Sequence, residues 1–100
     1  MSANPLDKYK EYDPKTVEFW KSLQGLTFSE GALSSKVKFL MAMAIDVEHG
    51  SVEGAIALGQ RAIKLGATKE EIIEALRVSY SIGGNQALFT AASVVQKLFK

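Results

Sequence analysis

A chain of 100 residues with 47% apolar and 23% charged residues has room for one globular domain and is too apolar to be disordered. Its net charge is +1, and the Lys and Arg residues are interspersed with Glu and Asp, so it lacks the concentrated basic surface that nucleic acid requires. It contains no Cys, which excludes disulfides, thiolate metal sites and thiol catalysis by this chain alone.

Met1 to Tyr12 is polar, charged and without a clear period, which predicts a mobile lead-in and is unlike a secretory leader. Asp13-Pro14 reads as a helix start, with Asp as N-cap and Pro at the first helical position. Val17, Phe19, Trp20, Leu23 and Leu26 then recur at spacings near three and four, predicting one apolar face on a first helix. Phe19 and Trp20 are expected to be core or interface anchors, and 28–33, with Gly31, to be a connection.

Ser34 or Ser35 suits the N-cap of a second helix carrying Val37, Leu40, Met41, Ala44, Ile45 and Val47. Phe39 and Met43 extend its apolar surface almost all round, which predicts a central helix or one at a subunit interface. Gly50 suits the left-handed residue that closes it. Ser51 fits the N-cap of a third helix built on Val52, Ala55, Ile56, Leu58, Ala62, Ile63 and Leu65, closed by Gly66. Thr68-Lys69-Glu70-Glu71 has the form of a capping box for a fourth helix with Ile72, Ile73, Leu76, Val78 and Tyr80. Gly83-Gly84 breaks that helix. Asn85 is placed to cap a fifth, whose stripe is Ala87, Leu88, Ala91, Val94, Val95, Leu98 and Phe99. The expectation is an all-α array of about five helices over residues 13–100, with no strand and no repeat. The longest apolar run, Phe39 to Ile45, is far short of the ~20 residues that span a bilayer, so a cytoplasmic protein without a membrane partner is expected.

Polar residues gather at the joint around Gly50: Asp46, Glu48, His49, Ser51 and Glu53. His49, the single His, would end one helix where the macrodipole favours its cation. Glu53 would begin the next, where negative charge is favoured. One His and nearby carboxylates are the residue types of proton transfer, which makes His49 and Glu53 the candidate catalytic pair. A solvated capping face accounts for the same residues without any chemistry. A divalent metal on Asp46, His49 and Glu53 would need a convergence that the Gly50 break does not ensure, and no metal or other cofactor is expected. Arg77 is a candidate carboxylate ligand, with Tyr80 and Asn85 beside Gly83-Gly84 as the rim of a substrate pocket. Ordinary surface pairing, a buried Tyr and an N-cap are the plainer roles of these three.

Three segments together resemble one family. Gly31 to Leu40 is similar to the approach to its central helix, Gly66 to Leu76 to its most repeated phrase, and Gly83-Gly84 with Asn85 to Leu88 to its last joint. Residues 13–99 in this order and spacing resemble the carboxymuconolactone decarboxylase / alkylhydroperoxidase D-like family. The resemblance implies a helical fold that assembles as a homo-trimer or homo-hexamer with sites near subunit contacts. It implies two activity branches: a peroxidase with a C-x-x-C pair, a His and an upstream Glu, and a cysteine-free decarboxylase of a carboxymuconolactone. Counted back from Gly66-Ala67-Thr68, the two Cys positions fall on Ser51 and Gly54, the His position on Leu58 and the Glu position on Phe39. A thiol peroxidase is therefore excluded. The His that Leu58 replaces is also usual in the decarboxylase branch. Two readings remain: a decarboxylase-like lyase acting on a small lactone or carboxylate, and a non-catalytic small-molecule-binding or assembly scaffold of the same fold.

Overall fold

The first helix begins with the same signal as the second. Asn4 precedes Pro5 as Asp13 precedes Pro14, and in the computed structural model, which describes residues 4–100, the Leu6 N–H donates to Asn4 Oδ1 at 2.9 Å. The chain forms six helices: α1 (Pro5–Tyr12), α2 (Pro14–Phe28), α3 (Ser35–Glu48), α4 (Val52–Lys64), α5 (Lys69–Gly83) and α6 (Asn85–Leu98). There is no strand among the described residues. The expected array of five thus gains a helix, because Asn4-Pro5 nucleates a turn in a stretch whose lack of apolar period suggested none. Residues 1–3 of the expected lead-in lie outside the described residues. Asp13 joins α1 to α2: its N–H donates to the Tyr9 carbonyl at 2.9 Å, and its Oδ1 accepts from the Thr16 N–H at 3.1 Å.

The apolar face expected on α2 does not enter the core. Val17 alone is buried there, whereas Phe19 is 70% and Leu26 77% exposed. The reason is placement. α2 lies at the edge and reaches the main array through its C-terminal end, where Phe28 stacks on Phe39 with centroids 4.3 Å apart and planes at 7°. The connection after it is tied down: Ser35 Oγ donates to the Phe28 carbonyl at 2.6 Å, and Lys38 Nζ to that of Ser29 at 2.7 Å.

α3 is the central helix, touching α2, α4, α5 and α6. Its buried residues, Ser35, Phe39, Met43 and Val47, recur every fourth position and so form one stripe. Val37, Met41 and Ile45 are apolar residues left on its outer face. α4 meets α3 with small residues, Ala55, Gly59 and Ala62, and this lets the two backbones approach closely. A Cβ at Gly59 would stand 3.2 Å from Met43 Sδ and 2.8 Å from Leu98 Cδ1. Phe39 meets Arg61, Met43 meets Gly59 and Asp46 meets Gly54, an order that makes α3 and α4 antiparallel. Ile72, Leu76 and Ser79 bring α5 onto the core, with Ser79 Oγ donating to the Ala44 carbonyl at 2.8 Å. Ala87, Ala91 and Val94 do the same for α6.

Most of the expected caps form. Ser34 rather than Ser35 caps α3, and Ser35 is buried in the bonds above. Gly50 and Gly66 take φ of 82° and 102°. Thr68 and Glu71 make both capping-box bonds. Two expectations are corrected. Ser51 occupies the N-cap position of α4 but its side chain makes no capping bond, and the N-cap of α6 is Gly84 at φ 75°, with Asn85 already inside the helix. Glycine adopts this positive φ without steric cost, which lets the chain turn from α5 into α6 at Gly84, one residue before Asn85.

Candidate functional site

Gly54, Leu58 and Arg61 fall on one face of α4, and a space of about 830 Å³ stays open between that face, α3 and α2. Trp20, Phe28, Phe39 and Leu58 supply apolar wall, and Lys21, Arg61, Lys64 and Asp46 supply charge. The Arg61 guanidinium lies 4.7 Å from the centroid of Phe39, a ring that also stacks on Phe28. A planar cation over an aromatic face is attracted by the ring quadrupole, typically by 0.5–1 kcal/mol at exposed sites. The contact anchors the Arg61 guanidinium beside the Phe28–Phe39 pair on the wall of the cleft.

At the other end of the cleft Asp46 lies against Gly54. A Cβ there would collide with Asp46 Oδ2 and stand 2.8 Å from Ser51 Oγ, so the Asp46 carboxylate occupies the volume that a side chain at 54 would take. Neither Asp46 nor Arg61 belongs to an ion pair among the described residues. Gly54 and Arg61 are two helical turns apart, which puts the acidic and basic ends of the cleft on the order of 10 Å from each other at 1.5 Å per residue.

The candidate residues named from the sequence fall elsewhere. The His49 side chain is 68% exposed, with Nε2 3.6 Å from Glu48 Oε1. That of Glu53 is 88% exposed, 3.8 Å from Lys97 Nζ. Neither lines the cleft, so the joint around Gly50 does not gather His49 and Glu53 about a common space. Asp46, His49 and Glu53 do not form a cluster suited to a metal, and no group of three or more His, Cys, Asp or Glu does so among the described residues. Arg77 and Tyr80 do come together, on the wall of a second, more apolar groove of about 450 Å³ between α5 and α6, with Ile73, Leu76, Leu88 and Ala91. Asn85 is exposed at the start of α6 and is not part of that wall. The two carboxylates held below their ordinary range are structural: Asp13 by the hydroxyl and N–H of Thr16, Glu71 by the Thr68 N–H and then by Lys36, whose Nζ is 2.9 Å away.

The sequence model of the carboxymuconolactone decarboxylase family matches residues 14–97. The chain belongs to the carboxymuconolactone decarboxylase family. It is similar to a carboxymuconolactone decarboxylase family protein from Legionella pneumophila, solved as a crystal structure of the apo form, with 33% identity and a TM-score of 0.86 over 93% of this chain and 83% of that one. No functionally curated protein matches it.

Family membership gives the cleft its significance. Phe39, Gly54 and Leu58, the positions that the resemblance aligns with the upstream Glu, the second Cys and the His of the peroxidase branch, all line it. Ser51, aligned with the first Cys, has its Oγ beside Gly54. At the positions that the resemblance assigns to the redox residues, this cleft therefore presents an aromatic ring, a glycine and a leucine. Asp46, grouped from the sequence with the polar residues around Gly50, lines this cleft instead, together with Arg61. The available signal was the shared face of Gly54, Leu58 and Arg61, together with an Asp inside the most apolar helix.

Proposed function

We propose that this family member binds a small lactone or carboxylate in the cleft between α2, α3 and α4 and acts on it as a decarboxylase-like lyase, without thiol peroxidase activity. The observation that carries this reading is Arg61, a guanidinium stacked on Phe39, free of any ion pair among the described residues and facing an apolar-walled cavity. Such a group takes a carboxylate in a bidentate pair, and the aromatic wall takes the ligand body. The second reading, a non-catalytic binding or assembly scaffold, is favoured by a different observation. Phe39, Ser51, Gly54 and Leu58 leave the cleft without a thiol or an imidazole.

Assembly as a homo-trimer or homo-hexamer belongs to the same proposal. Phe19, Leu26, Val78, Ile82 and Phe89 are large apolar residues on the surface of the single chain, more than a solitary small domain needs to expose. Light scattering on the eluted protein tests it. A cytoplasmic location is also proposed, and it is compatible with the finding that none of the described helices is long and apolar enough to cross a membrane.

The functional test is thermal unfolding against a panel of carboxylated lactones and small carboxylates, with turnover followed as release of carbon dioxide. A ligand at 100 times its Kd adds about 2.7 kcal/mol, a shift of roughly 10–20 °C for a domain of this size. A shift that Arg61→Ala abolishes, accompanied by turnover, supports the lyase. The same shift without turnover supports the scaffold. A panel on which wild type and Arg61→Ala behave alike overturns the placement of the site.

A further inference from the structure

The cleft has two chemically opposite ends, and family membership assigns neither of them. Arg61 and Lys64, one turn apart on α4, make one end cationic. Asp46 makes the other end anionic, and its carboxylate reaches the cleft because residue 54 has no side chain to exclude it. Leu58 lies between, one turn from Gly54 and one from Arg61, and no charged residue of α4 interrupts the apolar span. An ionised carboxylate accepts hydrogen bonds and donates none. A ligand that pairs its own carboxylate with Arg61 and reaches Asp46 must therefore present a donor there. A second carboxylate would meet like charge, which is disfavoured.

Resting on the reading that Arg61 anchors a ligand carboxylate, we propose that the cleft selects a hydroxy acid: a carboxylate at one end, an apolar middle lying along Leu58, and a hydroxyl at the other end donating to Asp46. The end-to-end spacing, on the order of 10 Å from the helical rise, makes the fit length-dependent. Gly54 is the positioning residue of this arrangement. An Ala there keeps the helix and the Asp46 carboxylate but forces that carboxylate out of its place.

Binding to the full-length protein is measured by titration calorimetry with ω-hydroxyhexanoate, ω-hydroxyoctanoate and ω-hydroxydecanoate. Each is set against its plain alkanoate, and against the dicarboxylate of equal length. The expected result is a preference of roughly tenfold for one hydroxy acid over both chain-matched competitors, the size of a hydrogen bond to a charged acceptor. The preference should vanish in both Asp46→Ala and Gly54→Ala while Arg61-dependent binding of the plain alkanoate persists. Equal, Arg61-dependent binding of hydroxy acid and alkanoate overturns this proposal and leaves the carboxylate reading standing. A preference that survives both variants overturns the assignment of Asp46. If no monocarboxylate binds in an Arg61-dependent way, both readings fall together.

Discussion

Met43→Ala probes the packing that holds the cleft's back wall together. Met43 is fully buried on α3, and its Sδ lies against the bare Cα of Gly59 on α4. Losing Cγ, Sδ and Cε forfeits roughly 2–2.5 kcal/mol of transfer free energy at about 0.8 kcal/mol per buried methylene-sized group. The cavity adds to this, because Val47, Ala55 and Ala62 around it are small or stiff and cannot swing in to fill it. The expected loss is about 3 kcal/mol, or roughly 12–24 °C in Tm. Met43→Leu, which nearly conserves volume, should lose less than about 1.5 kcal/mol. Gly59→Ala provides an internal control. In the wild type its new Cβ crowds Met43 Sδ at 3.2 Å and Leu98 Cδ1 at 2.8 Å; Met43→Ala relieves the first contact and leaves the second, so the double variant should recover part of the Gly59→Ala loss and be more stable than the sum of the singles predicts. The assay is urea unfolding followed by circular dichroism, at one protomer concentration throughout because association shifts apparent stability. A Met43→Ala loss under 1 kcal/mol, or strict additivity with Gly59→Ala, would refute the packing of α4 on α3 through these two residues.

Other expectations follow from local geometry. Thr68→Ala removes the hydroxyl that accepts the Glu71 N–H at 3.1 Å and should cost about 1 kcal/mol in the same unfolding assay. Glu71 and Asp13 have folded pKa values below their unfolded ones, so their contribution is fully present above the unfolded carboxylate range and is lost as pH falls through the folded values. Stability measured from pH 7 downward should fall in acid, and Glu71→Gln should flatten that slope; a slope unchanged in the variant would remove Glu71 as its source. For the cleft, Arg61→Lys should weaken carboxylate binding nearly as much as Arg61→Ala, by roughly 10–100-fold, because an ammonium does not pair bidentately with a carboxylate. Calorimetry with a bound carboxylate reads this directly, and full rescue by Lys would exclude bidentate pairing.

The helical class, the family and most helix boundaries were legible along the chain, since these rest on signals within a few residues of one another. Asp13, Ser34, Gly50, Gly66 and Thr68 act on backbone groups no more than four positions away, and the buried stripe of α3 follows from its own period. Asn4-Pro5 carried the same kind of local signal, and its polar surroundings concealed it. Which apolar face is buried was not a local matter. The stripe of α2 reads like any core face, yet apart from Val17 it is largely exposed because α2 packs only sparsely on the rest of the array. The candidate site depended on tertiary structure for the same reason. Nearness in sequence around Gly50 suggested His49 and Glu53, yet the helices on either side send both into solvent. Phe39 and Arg61 meet because α3 and α4 run antiparallel, and Asp46 reaches the cleft because Gly54, on the facing helix, lacks a Cβ. Contacts made across two helices depend on how those helices pack, and no single helical period encodes that.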